Sequence, residues 1–109
     1  MTGRVRFRPA AQADLLSIYL YIADHAGPSV AADYVARMRI ACEKLDLMPL
    51  RGRPREDLGA GIRTLPFEAR ATFEARATIA YRVDDVGVRI LRIFAAGRDY
   101  SSEEIDGRD

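Results

Sequence analysis

Few side chains in this sequence could do acid–base or nucleophilic work, and most of the candidates are arginines. Sixteen of the 17 basic residues are Arg, and Lys44 is the only lysine. The single histidine, His25, stands just before Gly27-Pro28, where a helix should stop, so it reads as a surface or helix-capping residue. The single cysteine, Cys42, falls on an apolar helical stripe and reads as core; it cannot form an internal disulfide. No Cys/His/Asp spacing suggests a metal, no Gly-rich loop suggests a nucleotide, and no nucleophile stands with a base, so no cofactor is expected. Acid–base chemistry would fall to Lys, Arg, Glu or Tyr with shifted pKa values, and arginine is a poor proton shuttle because it keeps its charge. The segment to inspect is Gly97-Arg98-Asp99-Tyr100, at the far end of a strongly apolar run.

That run is the second half of a hairpin. Residues 78–83 and 88–94 are β-branched and apolar, and Asp84-Asp85-Val86-Gly87 between them suits a tight turn, since Asp and Gly tolerate positive φ. Val88, Ile90 and Phe94 interleave with Arg89 and Arg92, while Leu91 and Ile93 break strict alternation; a strand apolar on both faces belongs in the middle of its sheet. Upstream, Arg4–Arg8 alternates as a short strand that Pro9 stops. A helix should follow over 10–25, with Ala11, Leu15, Ile18, Tyr19 and Ile22 at helical spacing; Leu16, Leu20 and Ala23 widen the stripe and imply contact on more than one side. Gly27 and Pro28 form a stop and a start, and a second helix should run over 28–47 as an antiparallel neighbour. Residues 48–57 read as loop, 62–65 as a strand leading to Pro66. The class is α+β, β-α-α-β-β-β, a helical hairpin on one face of a mainly antiparallel sheet.

At 109 residues, 49% hydrophobic and 30% charged, the chain is one globular domain over 1–109. No run nears a membrane span and the first residues lack the apolar core of a signal peptide, so a reducing, cytoplasmic setting is expected. Residues 1–98 hold 16 basic and 11 acidic groups, whereas 99–109 form an acidic tail with Asp99, Glu103, Glu104, Asp106 and Asp109 against Arg108. A basic body of this kind meets nucleic acid, an acidic protein segment, or only solvent. Residues 67–72 and 73–78 both read F-E-A-R-A-T. Six is even, so a duplication within a strand keeps every side chain on its face. The extra copy should lengthen or bulge the hairpin tip, and deleting residues 73–78 should leave a folded protein.

Taken in order, Ala13-Asp14-Leu15 with Ile18, Tyr21 and Ile22, the loop Pro49–Pro54, Gly61-Ile62-Arg63, Ala80–Val83, and Ile90–Ile93 leading to Gly97–Tyr100 resemble the ParE/RelE toxin superfamily, most closely its ParE branch. The resemblance implies a non-enzymatic toxin of a type II toxin–antitoxin system. Such a toxin inhibits DNA gyrase and is neutralised by a ParD-like antitoxin in a hetero-oligomer, with no membrane partner and no sequence-specific nucleic-acid binding. The superfamily's RelE-like branch implies instead a ribosome-dependent mRNA endoribonuclease, for which Arg63, Arg98 and Tyr100 are the matching positions; a non-toxic interaction module is the third alternative. For partner binding the candidates are Arg63, Tyr81, Arg82, Arg92, Arg98, Asp99 and Tyr100. Arg63, Arg82 and Arg92 either make cross-strand pairs with Glu68, Glu74 or Asp84 on an outer sheet face, or line a basic face for an acidic antitoxin tail.

Overall fold

The computed structural model describes residues 4–68 and 76–95. Arg98, Asp99, Tyr100, the acidic tail and most of the tandem repeat therefore lie outside the described residues. The elements are β1 (Val5–Phe7), α1 (Pro9–Ala26), α2 (Pro28–Glu43), β2 (Arg53–Pro54), β3 (Ile62–Glu68), β4 (Arg76–Val83) and β5 (Val88–Ala95). They form the expected α+β arrangement around a five-stranded sheet of order β1-β5-β4-β3-β2. Among the described strands only the β1–β5 pair is parallel. The hairpin β4–β5 is thus central, as its two-sided apolar pattern requires.

Pro9 and Pro28 open their helices at positions where a missing N–H costs nothing, and Gly27 alone joins the two. Their buried residues, Ala11, Leu15 and Ile22 on α1 and Ala31, Tyr34, Met38 and Cys42 on α2, meet Ile79, Tyr81, Val88, Ile90 and Ile93 of the sheet. Burial pushes the Cys42 thiol up to about 12, in keeping with a packing role. His25 closes α1 by stacking on Tyr21 at 4.1 Å and donating Nδ1–H to the Tyr21 carbonyl at 2.7 Å, a capping role.

Four expectations change. α2 ends at Glu43 rather than Leu47 and tightens into a 3-10 turn over Lys44–Asp46, which buries Leu45 and leaves Leu47 exposed. Leu16 and Leu20 are 59% and 57% exposed, so nothing covers that side of α1 within the described chain. β3 continues through Pro66 to Glu68, because β2 covers only Arg63 and Thr64. The Ile62 carbonyl accepts from Arg55 N on that outer edge, and Pro66, four residues on, turns its N–H-less nitrogen to the same edge. Finally, only Gly87 has positive φ in the β4–β5 turn; Asp84 serves through its carboxylate, which accepts the Val86 and Gly87 N–H groups. The repeat's flanks pair as Phe67↔Ala77 and Glu68↔Arg76, with Phe67 packed edge-on to Tyr34 on the helix side.

The irregular alternation of β5 has a specific cause. Ala80 pairs with Arg92 and Tyr81 with Ile90, so Leu91 is the extra residue of a β-bulge. Leu91 and Phe94 consequently join Leu58, Ile62 and Ala80 in a second cluster on the face away from the helices.

Candidate functional site

A loop braced from beneath is the most constructed feature outside the core. Tyr81 is fully buried among helix-side residues, and its hydroxyl donates to Pro49 O at 2.8 Å while accepting from Gly52 N at 2.7 Å. Arg63 stands opposite Tyr81 in the β3–β4 register, and its Nη1 donates to Leu50 O at 3.2 Å and Gly52 O at 2.7 Å. One phenol and one guanidinium thereby satisfy four backbone groups of a segment with no ladder of its own. Gly52 is required by proximity: a Cβ there would lie 2.5 Å from the Tyr81 oxygen. The braced loop holds Leu47, Met48 and Leu50 out to solvent at 83%, 60% and 65% exposure, with Arg51 and Arg53 exposed beside them.

This assigns new roles to several expected site residues. Arg63 does not share an outer face with Arg82; it faces Tyr81 on the helix side, and its guanidinium clamps the loop. Tyr81 has no exposed surface, and its hydroxyl holds the loop instead. Its pKa is raised, chiefly by burial, against the lowering effects of the Gly52 N–H and of Arg63 and Arg51, so it remains a phenol at neutral pH. Arg92 is not an open charge either. Asp14 of α1 takes its Nε and Nη2 at 2.7 and 2.9 Å and also accepts Ile93 N at 2.8 Å. The two side chains are only 16% and 13% exposed, and the guanidinium lies over the Phe94 ring at 4.9 Å. Asp14 thus fastens α1 to the edge of β5 beyond the end of β1. Its signal in the sequence is a carboxylate at position 14 of the stripe Ala11, Leu15, Ile18, on the buried side of an amphipathic helix.

Arg82 does lie on the face away from the helices, where its Nε donates to Ala60 O at 3.0 Å. It stands in register with Arg89, and Arg89 with Arg6. Arg6 Nη2 donates to both carboxylate oxygens of Asp84 at 2.6–2.7 Å, which lowers the Asp84 pKa. Among the described residues no group of three or more His, Cys, Asp or Glu could hold a metal, and no helix is long and apolar enough to cross a membrane. The described surface carries aliphatic side chains on α1 and on the braced loop, and arginines on the opposite face.

A helical hairpin on a mixed five-stranded sheet of this order is a ParE-like α+β fold. The chain belongs to the family of ParE toxins of type II toxin–antitoxin systems (parDE), which it matches over residues 5–100. Nine chains of solved structures are similar to it. One, from the chromosomal ParDE toxin–antitoxin system of P. aeruginosa, is 26% identical with a TM-score of 0.68, and the match covers 84% of this chain and 92% of that one. No curated protein matches it. Membership of a toxin–antitoxin system implies an antitoxin as partner.

Proposed function

We propose that this protein is a non-enzymatic cytoplasmic toxin that inhibits DNA gyrase and is silenced by a ParD-like antitoxin. The antitoxin would lie along the helical hairpin and the braced loop. The observation that carries this is the stripe Leu16, Leu20 and Tyr21 on α1, each more than half exposed in a chain whose other helical apolar residues are mostly covered. Exposed aliphatic and aromatic side chains at i and i+4 are what a partner helix needs as anchors. The arginines of the loop, Arg51 and Arg53, stand beside Met48 and Leu50 and suit an acidic segment that carries apolar side chains. Arg63 and Tyr81 contribute by holding that loop; Arg98, Asp99 and Tyr100 are proposed as contacts on resemblance alone. Of the ribonuclease positions, Arg63 is engaged by the Leu50 and Gly52 carbonyls and is poorly placed to meet a phosphate.

A supercoiling assay with purified gyrase tests the target. Inhibition, or trapped cleaved DNA, relieved by a co-purified antitoxin, is the expected result. Ribosome-dependent mRNA cleavage that Arg63→Ala abolishes, with gyrase unaffected, would overturn it. Leu16→Asp with Leu20→Asp should leave the toxin folded and inhibitory but release it from its antitoxin; retained binding would remove α1 from the interface.

A further inference from the structure

We propose that the chain's own acidic segment, Glu103-Glu104-Ile105-Asp106, docks on the braced loop and occupies it in place of the antitoxin's acidic segment. Ile105 would lie on Met48 and Leu50, and its acidic neighbours would meet Arg51 and Arg53. The loop sets two exposed aliphatic side chains, Met48 and Leu50, just before two exposed arginines. The segment sets one aliphatic residue among three carboxylates. The loop's own acids are already engaged: Asp57 pairs with Arg55 at 2.8 Å, and Glu56 accepts the Gly61 N–H at 3.1 Å. The Asp57 pKa is lowered chiefly by the Arg55 hydrogen bond, and the charge of Arg53 adds to the lowering. Because Tyr81 and Arg63 fix the Pro49, Leu50 and Gly52 backbone, the loop has little freedom to lose when it is covered. On the open sheet face, Arg6 is held by Asp84 and Arg82 by the Ala60 carbonyl, contacts that the segment would have to displace.

Reach favours a contact within one chain. Ala95 pairs with Ala77, Ala77 with Phe67, and Thr64 with Arg53. Arg53 therefore lies three strands across and three residues along from Ala95, roughly 18 Å at the usual strand spacing and rise. Ile105 is ten residues beyond Ala95. Ten residues span at most about 36 Å, and as a coil they average about 17–19 Å. A tether whose average length matches the span gives the largest effective concentration, on the order of millimolar. That favours the tethered segment, because exposed ion pairs are weak between separate molecules. An antitoxin must then displace the segment, which lowers its apparent affinity about threefold. This consequence rests on the antitoxin reading of the loop; the contact itself does not, and it is measured with neither antitoxin nor gyrase.

Paramagnetic broadening of amide resonances in the purified full chain tests it. A nitroxide goes on Ser102→Cys, since Cys42 is fully buried with its thiol pushed up to about 12. The amides of Met48, Leu50, Arg51 and Arg53 should broaden, and the effect should fall at least about threefold in about 1 M salt. Arg51→Glu with Arg53→Glu should abolish it, and adding Glu103→Arg with Glu104→Arg should restore it. Thermal melting controls for folding, and Ile105→Ser should weaken the broadening by itself if the loop variant unfolds. No broadening at the loop, broadening that survives the charge reversal, or broadening centred on Arg82 and Arg89 would overturn the proposal. So would equal broadening when nitroxide and isotope label sit on different chains, because a second copy would then be the donor. Removing residues 101–109 should raise antitoxin affinity about threefold. Unchanged affinity, with the contact seen in the full chain, would overturn the competition and remove the loop from the antitoxin interface.

Discussion

The two faces of the sheet are sealed by different means. On one, two helices with a 3.6-residue apolar period lay Leu15, Ile22, Tyr34 and Met38 over Ile79, Tyr81, Ile90 and Ile93. On the other, a loop residue, Leu58, closes a cluster of Ile62, Ala80, Leu91 and Phe94, and arginines surround it. Both clusters exclude water: Ile90 and Ile62 are each fully buried. The helix side is held by two long elements that fold together. The opposite face is held by one short loop and by a bulge that turns Leu91 to it. The first is therefore the global core and the second a local one, with arginines around it.

The largest expected effect tests that ranking directly. Ile90→Ala should cost about 3–4 kcal/mol and lower the melting temperature by more than about 10 °C, because helices and sheet cannot collapse onto the cavity. Ile62→Ala should cost about 2 kcal/mol, since the Leu58 loop can settle inward. Equal losses by chemical denaturation would end the distinction between global and local cores. Next comes the link at the sheet's edge: Asp14→Ala removes the carboxylate shared by the Arg92 guanidinium and the Ile93 N–H, at a cost of about 3 kcal/mol. A loss below about 1 kcal/mol would mean that water replaces the carboxylate there. Smaller again, Tyr81→Phe should cost about 1–2 kcal/mol by leaving the Pro49 carbonyl and the Gly52 N–H without partners. Amide exchange at Gly52 should rise while exchange in β4 does not; protection unchanged at Gly52 would show that Arg63 braces the loop alone.

The helical hairpin and the two-faced β5 were legible because both follow from periodicity. The site was less so, for reasons visible at single residues. Arg63, Arg82 and Arg92 look equivalent as arginines in strands, yet register puts Arg63 on the helix side, Arg82 on the open face, and Arg92 in the grip of Asp14. A bulge shifts facing by one residue, and local sequence does not announce it beyond the irregular Leu91 and Ile93. The wide stripe of α1 was visible, but Leu16 and Leu20 carried no mark that the described residues would leave them exposed. Pro66 read as a strand end because an edge of β3 left free by a two-residue β2 cannot be foreseen from composition. The brace made by Tyr81 joins residues about 30 positions apart, which no local pattern encodes.

The smallest effect concerns the turn that joins the two faces' strands. Asp84 accepts Val86 N and Gly87 N and holds Arg6, and these contacts lower its pKa, Arg6 first among the causes. A carboxylate with a depressed folded pKa adds stability above its unfolded value of about 3.9 and loses that stability as pH falls through the folded value. The parent should therefore melt slightly above Asp84→Asn at neutral pH, and the gap should close on acidification below about pH 4. High salt should narrow it as well, because the pair is solvent-exposed.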